Sequence, residues 1–289
     1  MFENWKIFEG TYVNPIVLKD RMTTIEEVRQ SSKDKNKEVN EAILERLKII
    51  EVKYLSKDKK VYLGQIVIDK DLADNILKLF DYIEKMNNNT DTADDKKFFI
   101  EKIIPISNEK YKDNDALSME DNNTSAFNYR LIEGKNRLSS HAFGFSIDIN
   151  PKDNPVMING VVSQPRNGKY DEKNSNTLTP HHKVVEFLKQ RGFEWGGDWK
   201  SSKDYHHFQK ILPTKEYLKN YIDNAIDNTE ENILDTLGKL FINSYKLEHF
   251  QALLNFVKND VIISKIGKEQ YLKFFNLLNE QIHNAQIRS

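Results

Sequence analysis

Two short runs hold most of the chemistry-capable side chains of this chain: Ser139-Ser-His141-Ala-Phe-Gly144-Phe-Ser-Ile-Asp148 and Asp204-Tyr-His206-His207-Phe208. Two imidazoles and one carboxylate suffice to hold a zinc ion with a coordination position left open, and a second carboxylate can then act on a metal-bound water. His141 and Asp148 lie seven residues apart, so they do not share the helical face of a His-Glu-x-x-His site, and no such motif occurs. Gly144 allows a tight turn, and Asp148 sits in an extended run whose alternate residues face opposite ways. A loop leading into a strand thus sets both ligands on one cleft wall, with His207 as the third.

Asp204, three residues before His207, is placed to accept the water's proton and pass it to a leaving amine. Its plainer alternative is a strand-end or turn cap. Arg130 is the candidate to steady a developing oxyanion, against the alternative of a surface ion pair. Ser139, Trp199 and His206 are candidate substrate contacts. Ser139 lacks the surroundings of a serine nucleophile. His206 reads as a neighbour of the site and not a ligand, and Trp195 as core. His181 and His182 read as solvated, and His249 and His283 as surface residues.

The elements that must position these groups are legible in part. The chain has 289 residues, 38% of them apolar, enough for one or two domains with a real core. A formal net charge of -1 leaves no basic field to hold nucleic acid. The absence of cysteine leaves His, Asp and Glu as the ligands for any transition metal. The opening residues carry acids and no uninterrupted apolar run, so no secretory signal is visible, and no window approaches the ~18 apolar residues of a membrane span.

Residues 1–22 read as irregular, and Thr24-Ile-Glu-Glu27 as a capping box opening a helix. After a charged break at 33–37, the spacing of Val39, Ile43, Leu47 and Ile50 predicts a helix from about Glu38 to Lys48. Residues 51–55 and 61–68 form a predicted hairpin. Asp69 or Asp71 is expected to cap a helix with the stripe Leu72, Ile76, Leu79, Phe80 and Ile83. Residues 87–97 read as a polar loop, 98–106 as a strand, and 107–125 and 154–176 as polar connections. Thr179-Pro180 is expected to start a helix that ends at Arg191-Gly192, and 208–212 to form a short strand. After Pro213 the stripes Ile233/Leu237/Leu240/Phe241, Phe250/Leu253/Leu254/Val257 and Tyr271/Phe274/Phe275/Leu278 predict three or four helices. The expected division is an N-terminal helical arm (1–50), a catalytic unit (51–212) and a C-terminal helical region (213–289).

These residues also carry a resemblance. Ser139-x-His141-x-x-Gly144-x-Ser-x-Asp148 and Asp204-x-x-His207-Phe208 resemble the two signatures of the zinc D-alanyl-D-alanine carboxypeptidases of the VanY and VanX type. Asp121-Asn-Asn-Thr-Ser-Ala-Phe-Asn-Tyr-Arg130, Asp148-Ile-Asn-Pro-x-x-Asn-Pro155 and Gly192-Phe-x-Trp-Gly-Gly-Asp-Trp199 resemble their endolysin-like branch. Ser146 stands where the family usually has Ala. The resemblance covers roughly residues 55–212. It implies an α+β fold with a small antiparallel sheet and flanking helices, shared with L-alanyl-D-glutamate endolysins and the hedgehog domain, here followed by the helical appendage. It implies one Zn2+ on His141, Asp148 and His207, Asp204 as general base, and Arg130 on the substrate. It also implies a peptidoglycan stem peptide as substrate, with D-alanyl-D-alanine carboxypeptidase activity expected first. The alternatives are an L-alanyl-D-glutamate endopeptidase and a non-catalytic zinc-binding module. A cell-envelope or secreted location follows from that substrate, with cytoplasmic residence until release as the alternative.

Overall fold

The computed structural model describes residues 16–17, 24–34, 39–89, 93, 96–224 and 229–288. The reading for residues 1–22 lies outside these except at 16–17; the charged break expected at 33–37 is described only at Lys33 and Asp34, which are helical, and the 87–97 loop is described in part. The architecture is α+β. Strand β1 (Ile16–Val17) runs parallel to β3 (Val61–Asp69), which pairs along its whole length with β2 (Leu47–Leu55). Helix α1 (Ile25–Asp34) opens on the expected box: Thr24 N donates to Glu27 Oε2 at 2.8 Å, and Glu27 N to Thr24 Oγ1 at 3.1 Å. The helix expected over 38–48 is one turn, α2 (Glu41–Leu44), and Leu47 to Ile50 belong to β2 instead. Burial alternates at Ile50, Val52 and Tyr54, the period of a strand, and the β-branched pair Ile49-Ile50 favours that choice. The first fifty residues are therefore not a helical arm alone.

Helix α3 (Ala73–Asn87) buries its predicted stripe against β2. Neither aspartate caps it. Asp69 and Asp71 instead grip Arg46, at 2.8 and 2.9 Å. The expected strand at 98–106 is paired only over β4 (Lys102–Ile103), which runs parallel to β5 (Asn123–Thr124) beyond α4 (Asp115–Glu120). Asparagine side chains anchor the rest. Asn87 bonds both the N–H and the carbonyl of Phe98, Asn176 accepts from Phe99 N, and Asn150 accepts from Glu101 N.

Strand β6 (Ser146–Asp148) is an edge of a sheet whose centre is β11 (His207–Gln209) and whose far edge is β9 (Glu194–Trp195). The connection at 154–176 contains a hairpin, β7 (Val156–Ile158) and β8 (Val161–Gln164), and β10 (Lys203–Asp204) pairs with β7. Among the described residues the expected small antiparallel sheet is thus four small ones, two of them with a parallel pair. Helix α5 (Lys183–Lys189) starts after His182, not at Pro180: His182 Nδ1 accepts from Val184 N at 3.2 Å. His182 is therefore half-buried structure and not a solvated side chain, whereas His181 is exposed.

Helices α6 (Lys215–Asp223), α7 (Glu230–Ile242), α8 (Leu247–Val257) and α9 (Asp260–Arg288, broken at Gly267) gather the predicted stripes, Phe275 excepted, in a second apolar cluster. Ile211 and Tyr217 pack against both clusters. Polar contacts add to that junction. Asn243 donates to the Ile211 carbonyl at 2.9 Å, Tyr245 donates to the Asp71 carbonyl at 3.1 Å, and Lys246 pairs with Asp71. His249 is buried there, 3.6 Å from Asp71, which corrects its reading as a surface residue, while His283 is exposed. Among the described residues no helix is long and apolar enough to cross a membrane.

Candidate metal centre and cleft

The register of β6 against β11 sets the centre. His207 stands directly opposite Asp148, with Phe208 opposite Ile147 and Gln209 opposite Ser146. Directly paired antiparallel residues point their side chains to the same face, so the two ligands meet without any long-range adjustment. His141 arrives from a single 3-10 turn, Ser140–Phe143. Ser139 caps that turn by accepting from His141 N at 3.3 Å, and Gly144 ends it with φ +69°. A Cβ at Gly144 would fall 2.6 Å from Asp69 N, and Asp69 N donates to the Gly144 carbonyl at 3.0 Å. The His141 turn is thereby pressed onto the end of the β2–β3 hairpin, a position open only to glycine.

His141 Nε2 lies 3.1 Å from His207 Nδ1 and 3.3 Å from Asp148 Oδ2, and His207 Nδ1 lies 3.0 Å from Asp148 Oδ1. A tetrahedral zinc with bonds of ~2.0–2.1 Å has ligand–ligand edges of about 3.3 Å; the two ring nitrogens are 3.1 Å apart, and Asp148 approaches each ring through a different carboxylate oxygen at 3.3 and 3.0 Å, separations of the length such a site needs. The far ring nitrogens agree. His141 Nδ1 is 2.5 Å from the Ala126 carbonyl, which can only accept, so Nδ1 carries the proton and Nε2 presents its lone pair. His207 Nε2 is 3.2 Å from Gln209 Oε1, and Gln209 Nε2 donates to Glu194 Oε2 at 3.0 Å. That fixes the amide's orientation, makes His207 Nε2 the donor and leaves Nδ1 free to coordinate. The donor set fits a zinc ion.

All three candidate ligand residues are buried. Burial alone lowers the His141 imidazole, but the Asp148 carboxylate outweighs it and raises the group above its ordinary value. Burial alone raises Asp148, but His141 and His206 hold it well below the usual carboxylate range. The trio thus favours a positive charge in its midst. A second trio of ligand type, Asp71, Glu248 and His249, already has Arg46 and Lys246 on its carboxylates and reads as an ion-pair cluster.

A cleft of about 550 Å³ opens over the three ligands. Asp204 reaches it from β10, and its Oδ1 is buried, 3.0 Å from His206 Nε2, with no well-directed hydrogen bond. His206 donates from Nδ1 to the Asn154 carbonyl at 2.7 Å and so holds a fixed orientation beside Asp204. Arg130 lines the cleft and has Nε 3.0 Å from Asp115 Oδ2, an ion pair within the cleft wall. Trp199 also lines the cleft, with its ring centroid 5.3 Å from that of His207, whereas Trp195 is buried in the core. Gln209, Arg137 and Tyr217 belong to the cleft as well and were not singled out from sequence. Gln209 lies two residues beyond His207 on a strand, hence on the same face, and that spacing was its available signal.

A family described as D-alanyl-D-alanine carboxypeptidase matches residues 133–210. The peptidoglycan L-alanyl-D-glutamate endopeptidase CwlK of Bacillus subtilis (strain 168) is 39% identical over 75 residues, which is 25% of this chain and 40% of that relative. The chain thus spans about two-fifths of the length of the curated relative it matches. No solved structure matches. The matched segment holds the three ligands and Asp204 but not Arg130. Residues 133–210, where the two signatures and their paired strands lie, are thus similar to the D-alanyl-D-alanine carboxypeptidase family.

Proposed function

We propose that the protein is a zinc-dependent peptidase of peptidoglycan stem peptides, with the D-alanyl-D-alanine bond as first choice. The single observation that carries this reading is the convergence of His141 Nε2, the Asp148 carboxylate and His207 Nδ1 beneath a cleft that also holds Asp204. Those three residues would hold the zinc. Bound there, zinc supplies Lewis acidity that polarises a substrate carbonyl and acidifies water. Asp204 accepts the proton of the attacking water and returns it to the departing amine; its buried, poorly satisfied Oδ1 supports that role. Arg130 faces the carbonyl oxygen as charge builds on it, and Asp115 fixes its guanidinium. Ser139 holds the His141 turn, and Trp199 and His206 flank the space where the peptide lies. We assign the catalytic unit to residues 51–212, with Tyr217 of α6 closing one side of its cleft. A cell-wall substrate implies action in the envelope or outside the cell.

The similarity to CwlK supports a second reading, cleavage of the L-alanyl-D-glutamate bond. Digestion of purified muropeptides followed by mass spectrometry separates the two: loss of one terminal alanine marks the carboxypeptidase, and release of a longer peptide marks the endopeptidase. Zinc should bind near one equivalent and drop sharply in His141→Ala and His207→Ala. Full activity in Asp204→Ala would overturn the mechanism. A zinc-loaded wild type that cuts no stem peptide would leave a binding module in its place.

A further inference from the structure

Two guanidinium groups line the cleft, and they differ in what they already hold. Arg130 is paired with Asp115, and its charge opposes protonation of His141, so it stands at the ligand end. Arg137 is half-buried, and among the described residues no carboxylate pairs with it. Its guanidinium carbon is 6.0 Å from the centre of the Tyr221 ring. Tyr217 marks the same end of the cleft. Burial raises its phenol to about 12, and the charge of Arg137 works against that rise. The backbone carrying Arg137 is tethered: Ile132 N donates to the Arg137 carbonyl at 2.9 Å, and Leu131 bridges Leu138. Two residues on, Ser139 caps the turn that bears His141.

A half-buried guanidinium with no anion is an unfilled fork of donors, shaped for a carboxylate. We propose that Arg137 receives a free α-carboxylate on the substrate residue whose amine departs. This inference rests on the hydrolase reading above and narrows its substrate class. A D-alanyl-D-alanine terminus carries that carboxylate on its last residue. In a stem peptide, D-glutamate continues through its side-chain carboxyl, so an L-alanyl-D-glutamate bond also has a free α-carboxylate on the amine side. One receptor therefore serves either bond, while Arg130 attends to the carbonyl being attacked.

The test uses full-length zinc-loaded protein and matched peptides: N-acetyl-L-lysyl-D-alanyl-D-alanine and its C-terminal amide, and L-alanyl-γ-D-glutamyl-L-lysine with its α-carboxyl free or amidated. At whichever bond is cut, wild type should prefer the free acid by at least about tenfold in kcat/KM. Arg137→Ala should raise KM for the acid at least about tenfold, leave kcat within about threefold and erase the acid preference, as expected for uniform binding. Arg137→Lys should keep part of it, and zinc content should not change in either variant. Acid preference surviving in Arg137→Ala, or wild type cutting acid and amide equally, overturns the assignment and leaves the hydrolase reading standing. Turnover of no peptide removes the hydrolase reading instead. Calorimetry on Asp204→Ala then decides the receptor: acids must bind at least about tenfold tighter than amides and lose that margin in Asp204→Ala/Arg137→Ala, and equal binding overturns it.

Discussion

Gly196→Ala should separate the proposed general base, Asp204, from the proposed zinc site. A Cβ at Gly196 would fall 2.4 Å from the Asp204 carbonyl oxygen and 2.8 Å from Asp204 Cβ. Ordinary contacts of this kind begin near ~3.3 Å, so the two backbones must part by roughly 0.9 Å. Strand β10 cannot simply recede, because Asp204 is paired with Val156 of β7 on its other side. The displacement therefore reaches the Asp204 carboxylate. The three candidate ligands ride on β6, β11 and the 140–143 turn, none of which contains Gly196. A misplacement of ~1 Å at a catalytic group costs about 100-fold in rate, or about 2.7 kcal/mol at the transition state. Gly196→Ala should thus lose about 100-fold in kcat on stem peptide while binding about one equivalent of zinc with unchanged circular dichroism. Activity within about threefold of wild type would refute the argument that this glycine places Asp204. Loss of zinc would refute the claim that base and ligands are held separately.

Gln209→Leu removes the acceptor for His207 Nε2–H and should weaken zinc about 10–100-fold in competition with a chelator, without unfolding the protein; unchanged affinity would mean that His207 is oriented by packing alone. Burial lowers His182 to about 4, and its cap on α5 needs the neutral ring. The unfolded imidazole takes up its proton near ~6.5 and the folded one resists until about 4, so this stability is whole above pH ~6.5 and declines as pH falls towards 4, by no more than about 3 kcal/mol. Denaturant titrations of wild type and His182→Asn should diverge in that window, and parallel curves would sink the assignment. Gly238 lies inside α7 with open space where a Cβ would go, so Gly238→Ala should stabilise the protein by about 1 kcal/mol and leave turnover alone. A fall in Tm would expose a contact not seen here.

The candidate trio was legible because its signal is chemical identity at short spacing: His141, Asp148 and His207 needed no fold to be suspected, and the fold brings them together. The long hairpin and the C-terminal stripes were legible from periodicity. Leu47 and Ile50 were misassigned because a three-residue spacing of apolar side chains also fits a strand's irregular burial, and length alone did not arbitrate. The β7–β8 hairpin carried a usable sign, Asn159-Gly160 between two apolar runs, hidden by the polar stretch around it. The Arg130–Asp115 pair and the docking of Lys246 and His249 on Asp71 join residues 15 to 178 positions apart in the chain, and no local pattern announces such partners.

The pairing of β11 with β6 can also be regarded as a ruler. Neighbouring residues of a strand face opposite ways, so a slip of one position would bring His206 opposite Asp148 and carry His207 out of the trio. An ion held by all three donors would recognise one alignment of these strands and reject its neighbours. Metal uptake would then act as a proofreading step for the sheet, rewarding chains that have closed in register and leaving shifted ones free to reopen.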